Sequence, residues 1–318
     1  MFGVLLVVGL YLRAQYDVMG ILESRGVDWV HRSTSWLVAS EAEIQAEIDS
    51  ARAAGLGVNP GRAPARGPLS VHPANPRYFA DDRGRIVYLT GSHTWSNFQD
   101  NGGSDPPPRF DYLQYLDFLE AHDHNFFRLW VWEGSRWTLQ SYDDDYWFDP
   151  SWAFERTGPG LALDGKPRWD LTRFNEEYFS RLRSRVVEAR DRGMYVSVML
   201  FNGWSVAKSK GGQDAENPWR GHPFHRFNNV NGIDGDANGD GSGEEVHELI
   251  NEQVFHIQTT YVKKTIDVLN DLNNVLFELS NESHGESTEW QYALVDLIHR
   301  HEASKPNQHP VGMTVELP

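Results

Sequence analysis

The chain of 318 residues contains no cysteine. That excludes disulfide staples and thiolate metal centres, and it is compatible with export. Positive charge is also scarce. The 29 Lys and Arg face 45 Asp and Glu, a formal net charge of −16, which argues against nucleic acid and anionic membrane surfaces as partners and suits cations and uncharged substrates. A membrane-spanning helix needs about 20 apolar residues, and the apolar run at residues 2–12 is too short for one. That run lacks a basic leader and a clear small-residue cleavage site, so it reads weakly as a signal peptide. The expected location is extracellular or periplasmic.

Aromatic residues, by contrast, are plentiful: 12 Trp, 12 Tyr and 16 Phe. Trp95, Trp137, Trp147, Trp204 and Trp219 stand among Asn, Asp and Gly rather than in apolar runs. An indole in such surroundings is a stacking platform for the flat C–H face of a sugar, or else simply loop filling.

Residues 1–67 differ from the rest and read as an N-terminal extension. A capping box at Ser40-Glu41-Ala42-Glu43 opens a helix, and the stretch "GVNPGRAPARGP" reads as a linker. Residues 68–318 alternate strands with helices. Strands are expected at "RIVYLTGSH" (85–93), "NFFRLWVWE" (125–133), "MYVSVMLFNGW" (194–204), "NVLFELS" (274–280) and "HPVGMTVEL" (309–317). Helices are expected in "FDYLQYLDFLEAH", in "TRFNEEYFSRLRSRVVEARDRG" and around Val254 and Trp290, with Phe174, Tyr178, Leu182 and Val186 sharing one face. Alternation of this kind implies parallel βαβ units.

Links from helix to next strand are short, whereas those leaving strands two and three, near 133–170 and 202–244, are very long. Structureless loops above about 12–15 residues are usually functional. In a (β/α)8 barrel they gather at the C-terminal face, where active sites form. The strand-end polar residues His93, Glu133, Asn202, Asn281 and Glu282 fall on that face. The expected fold is therefore a (β/α)8 TIM barrel, incomplete at its C-terminus, with about five strands recognisable. A doubly wound sheet is the rival, but its first turn should be glycine-rich, and "LTGSHTWSNF" has one Gly among bulky neighbours.

Asn281-Glu282 after the fourth predicted strand resembles the acid/base signature of the retaining (β/α)8 glycoside hydrolases. The stretches "RYFADDRGRIVYLTGSHTWSNFQD", "FFRLWVWE" and "NVLFELSNES" are similar to the apiosidase-like and collagenase-associated glycosidase group within that clan. The resemblance covers roughly residues 69–318. It implies hydrolysis of O-glycosidic bonds in a polysaccharide or oligosaccharide, with Glu282 as acid/base and Asn281 on the sugar's 2-hydroxyl. Arg128 would be the arginine aimed at the nucleophile, and His93, Trp95, Asn202 and Trp204 would line the sugar subsite. The plainer alternatives are a loop or helix-cap glutamate at 282, a salt bridge inside the barrel at Arg128 and a satisfied strand-end histidine at 93. In that clan the nucleophile ends strand seven, and no position here matches it. Glu133 and Glu316 are the remaining strand-ending carboxylates. The competing reading is a calcium-stabilised, non-catalytic carbohydrate-binding barrel or an inactive fragment.

"DGDANGDGSGEE" is close to a calcium loop. Read from Asp234, it places Asp234, Asp236 and Asn238 at positions one, three and five, Gly239 at the turn, the Asp240 carbonyl at seven, Ser242 at nine and Glu245 at twelve, with a helix expected to leave from Glu245. A flexible acidic turn is the alternative. His222 and His225 are spaced poorly for a transition metal because Pro223 intervenes, and they read as ordinary histidines.

Overall fold

The computed structural model describes residues 63–138, 145–207 and 217–314. Glu316 and most of the N-terminal extension lie outside the described residues. The last of the expected linker does not: Ala65 is buried, its N–H bonding the Arg190 carbonyl, and Gly67 lies so close to the Asn273 carbonyl that a Cβ would fall 2.1 Å from it.

Three short strands come first, β1 (Ser70–Val71), β2 (Phe79–Ala80) and β3 (Ile86–Val87), paired antiparallel in that order. Then follow β4 (Asp100–Gly102), α1 (Tyr112–Ala121), β5 (Phe126–Leu129), β6 (Arg136–Thr138), β7 (Asp145–Asp149), β8 (Phe154–Leu161) and β9 (Pro167–Phe174). The C-terminal half runs α2 (Glu176–Asp191), β10 (Tyr195–Asn202), α3 (Glu252–Leu269), β11 (Val275–Asn281), α4 (Thr288–Glu302) and β12 (Val311–Gly312). The first three of these helices begin where short polar side chains satisfy free N–H groups. Asp111, Asn175 and Asn251 accept from Gln114, Glu177 and Gln253 at the starts of α1, α2 and α3.

The core is a parallel sheet in the order β12-β11-β10-β5, with Gly91 adding one parallel bridge beside Phe126. Every residue of β10 and β11 is buried, as a parallel sheet covered on both faces requires. Strand order follows chain order without reversal, and helices pack on one another in the same sequence, α2 on α3 and α3 on α4. A doubly wound sheet reverses its order at a switch point, so that rival is excluded for these strands. Among the described residues the sheet is an open wall and does not close on itself.

Several expectations are corrected. The first strand is not continuous over residues 85–93: Ile86–Val87 joins the small antiparallel sheet, and only Gly91 touches the parallel one. In its place the side chains of Asn97 and Gln99 accept from the N–H groups of Trp130 and Trp132 and donate to the carbonyls of Arg128 and Trp132. Two amides thus substitute for a strand edge. The helix expected from Thr172 starts at Glu176, because residues 167–174 pair with β8 as a hairpin. Tyr178, Leu182 and Val186 are buried as the periodicity predicts, and the helix stops before Gly193, whose φ is 74°. The long connections carry structure of their own. β6, β7 and β4 form a second antiparallel sheet, and the two insertions bind each other through Trp169 with Asn228 and Thr138 with Asn217.

Candidate active site

Parallel pairing places Asn202 directly beside Asn281, each the last residue of its strand. Asn281 Nδ2 points to Asn202 Oδ1 at 3.4 Å, and Asn202 Nδ2 donates to the Val131 carbonyl at 3.1 Å. The ends of β5, β10 and β11 are therefore tied by two amides. Below them, Arg128 forms a bidentate ion pair with Glu278 and donates to Asn281 Oδ1 at 3.0 Å. That bond fixes the amide's orientation and turns its NH2 away from the arginine. Arg128 thus makes the in-wall salt bridge weighed as its plainer role and also positions Asn281.

Aromatic side chains cover this floor. Period-two alternation puts Arg128, Trp130 and Trp132 on one face. The guanidinium lies 5.0 Å from the Trp130 ring centre, and His93 stacks on the same indole at 5.2 Å and 5°. Burial, then the Arg128 charge, lowers His93 to about 4, so the ring is neutral near pH 7. Trp95 leans on Trp130 at 6.4 Å, while Trp204 meets Trp132 at 5.5 Å and Trp137 at 4.8 Å. Trp95, Trp137 and Trp204 remain partly exposed. Trp219 does not: it is buried and stacks on His222, so it is a core residue.

Glu282 follows β11 directly, is partly buried, and has φ of 51°, the left-handed region a non-glycine residue enters at a cost of about 1–3 kcal/mol. The turn is held by close packing. A Cβ on Gly203 would lie 2.4 Å from the Glu282 carbonyl oxygen and 2.6 Å from Ser283 Cα, both backbone atoms. Gly203→Ala is therefore expected to shift the Glu282 turn and cost about 1–3 kcal/mol of stability. Chemical denaturation measures this, and a variant as stable as wild type contradicts the contact.

Glu133, offered by the sequence as a second carboxylate, has another role. It is fully buried, accepting from His222 Nε2 at 3.2 Å and His247 Nε2 at 3.1 Å, and from the N–H of Asn202. His222 Nδ1 accepts from the Phe224 N–H at 3.0 Å, so its proton sits on Nε2; burial lowers this histidine's pKa. Burial alone pushes the Glu133 carboxyl up, but the charge of His247 and the hydrogen bond from His222 more than reverse this and bring it to about 2. His247 also stacks on Trp290 at 4.5 Å and reaches Ser283 Oγ through Nδ1 at 3.3 Å. Serine, histidine and glutamate line up as in a nucleophilic triad, yet all three are fully buried, so the cluster is a latch between the long third loop and the strand ends.

A pH effect follows. The folded Glu133 pKa lies below its ordinary 4.5, so the unfolded chain takes up the proton first. The group's stabilisation is complete above 4.5 and is lost as pH falls towards about 2. Urea midpoints are expected to drop more steeply below pH 4.5 in wild type than in Glu133→Gln, which has no carboxyl to protonate. Equal slopes contradict the assignment.

The third loop also gathers acid groups. Ligand oxygens of Asp236, Asp240 and Glu245 lie within 4.8 Å of one another, and Asn238 Nδ2 contacts Glu245 Oε1. Asp234 is not in that group; its carboxylate lies 3.9 Å from Arg226. The expected exiting helix is a single 3-10 turn, Glu244–His247, with α3 starting at Glu252. Neither His222 nor His225 belongs to a metal-capable group among the described residues.

The structure thus brings His93, Trp95, Arg128, Asn202, Trp204, Asn281 and Glu282 to one end of one sheet. Sequence reading missed Trp130 and Trp132, which the alternation from Arg128 could have revealed. It also missed Glu278 and His247, whose partners lie far away in the chain.

Among solved structures, a glycoside hydrolase of family 5 from Bacteroides vulgatus is 14% identical, with a TM-score of 0.43 over 78% of this chain and 39% of that one. The endo-glycoceramidase II of Rhodococcus sp., solved as a lactosyl-enzyme intermediate, is 15% identical, with a TM-score of 0.41 over 75% of this chain and 51% of that one. The chain spans 39% to 51% of the length of these structures. No curated protein matches its sequence. A family model does match, and it takes in Glu133, both Asn-bearing strand ends and the acidic loop. Its residues 133–316 are more than half of the chain, which therefore belongs to the domain of unknown function DUF6298.

Proposed function

We propose that this domain is a glycoside hydrolase on a (β/α)8-type barrel and that Glu282 protonates the departing glycosidic oxygen. As the C–O bond breaks, the carboxyl proton moves to that oxygen and the leaving sugar departs as an alcohol, while positive charge grows on the anomeric carbon; water then supplies the new C–O bond at that carbon and its proton returns to the Glu282 carboxylate. Asn281, its amide turned by Arg128, donates towards the 2-hydroxyl, a contact that strengthens as the charge develops. Trp95, Trp137 and Trp204 offer faces for the sugar rings. The observation that carries the reading is the placement of Glu282, partly buried in a strained turn beside paired asparagines at the ends of parallel strands.

The test is turnover and binding of one oligosaccharide by wild type and Glu282→Gln. Binding kept with turnover lost is expected, and equal turnover overturns the assignment. A second reading, carbohydrate binding without catalysis, is favoured by one fact: Glu133 and Glu278, the nearby strand carboxylates, are both engaged, by two histidines and by Arg128. On that reading the wild type itself binds without turning over.

A further inference from the structure

The acidic loop departs from the frame its sequence suggests. The Asp236 carboxylate accepts from the N–H groups of Gly239, Asp240 and Gly241, as the first residue of a calcium loop does. Asp236, Asn238 and Asp240 then occupy positions one, three and five, and Gly241, with φ of 86°, makes the turn at six. The closing carboxylate comes from Glu245, two residues before the usual place, because the chain enters a tight 3-10 turn there instead of an α-helix.

Glu245 supplies the independent sign of a ligand. It is only 6% exposed, yet its Oε2 has no hydrogen-bond partner among the described residues, and it belongs to the group whose oxygens converge. A buried carboxylate beside two further carboxylates is costly in its charged form unless a proton or a cation neutralises it. Hard oxygen donors select Ca²⁺ over softer metals.

The loop is also fastened to the strand ends. Ser242 Oγ and the Gly243 N–H both bond the Val206 carbonyl, at 3.3 and 2.9 Å, in the turn that follows β10. Gly243 itself is seated on Trp219, where a Cβ would meet the ring at 2.2 Å. Glu245 and His247 share one 3-10 turn, and His247 reaches Glu133 beyond β5 and Ser283 beyond β11.

We propose that Asp236, Asp240 and Glu245 bind a calcium ion that holds His247 on Glu133, so that the ion fastens the ends of β5, β10 and β11. The ion stiffens the sheet end without touching the reacting sugar. The inference stands apart from the glycosidase reading, because binding and melting report it without any turnover.

The experiment is calorimetric titration of the chelator-treated full chain with CaCl2, together with melting curves. Asp236→Asn and Asp240→Asn are each expected to weaken Ca²⁺ binding at least ~10-fold, while Asp234→Asn stays within about twofold. Asp240 is exposed, so its variant tests the site even if another fails to fold. His247→Gln, which touches no ion, is expected to weaken Ca²⁺ binding about fivefold or more through the shared turn. Absence of both heat and a melting shift at about 5 mM Ca²⁺, above the weakest oxygen-loop affinities, overturns the site. Loss of binding in Asp234→Asn overturns the frame, wild-type affinity in His247→Gln overturns the coupling, and an equal response to Mg²⁺ overturns the choice of ion.

Discussion

Glu133→Leu is expected to destabilise the fold by at least about 3 kcal/mol. Leucine fills similar space but leaves three donors facing apolar atoms: His222 Nε2, His247 Nε2 and the Asn202 N–H. A buried donor left without an acceptor costs about 1–3 kcal/mol. In a domain of this size each kcal/mol moves Tm by about 2–4 °C, so a fall of about 6–12 °C is the expected reading. Glu248→Gln serves as the comparison, because its bond to His284 is partly exposed and such pairs are worth about 0–1 kcal/mol. If the two variants melt together, Glu133 is not the fastening point that its geometry implies. Glu133→Gln should fall between them, since one amide oxygen can still accept.

How much of this could be read from the chain alone depends on the range of the interaction. β10 and β11 were legible because a buried parallel strand is a mostly apolar run, and 195–201 and 275–279 are such runs, each broken by a single polar residue, Ser197 and Glu278. Asn202, Asn281 and Glu282 were legible for the same reason, as polar residues that interrupt those runs where the sheet ends. The first strand was not legible. Residues 85–93 have strand composition, but Asn97 and Gln99 supply the hydrogen bonds that a paired strand would have made, and side-chain amides leave no periodic trace. The hairpin β8–β9 stayed hidden because Phe174 fits the helical spacing of Tyr178 and Leu182 as well as it fits a strand. Pairs such as Arg128 with Glu278, or His247 with Glu133, join residues more than a hundred positions apart, and no local pattern encodes them. The acidic loop stood out by composition; the proposed frame starts at Asp236 rather than Asp234, since both suit the first position and only the N–H groups that Asp236 caps distinguish them.

The second large effect concerns Glu282. General acid catalysis contributes about 10²–10⁴-fold when the leaving group is poor, and a sugar alkoxide is a poor leaving group. A nitrophenolate leaves without a proton, so the same variant should lose much less on an activated aryl glycoside. A misfolded or substrate-blind variant would lose both activities equally, which makes the ratio more telling than either rate. The deciding measurement is therefore kcat/KM of wild type and Glu282→Gln on an unactivated oligosaccharide and on the matching nitrophenyl glycoside. The account predicts a loss of at least about 100-fold on the first and a clearly smaller loss on the second. Near-wild-type hydrolysis of the oligosaccharide, or equal losses on both substrates, would contradict it.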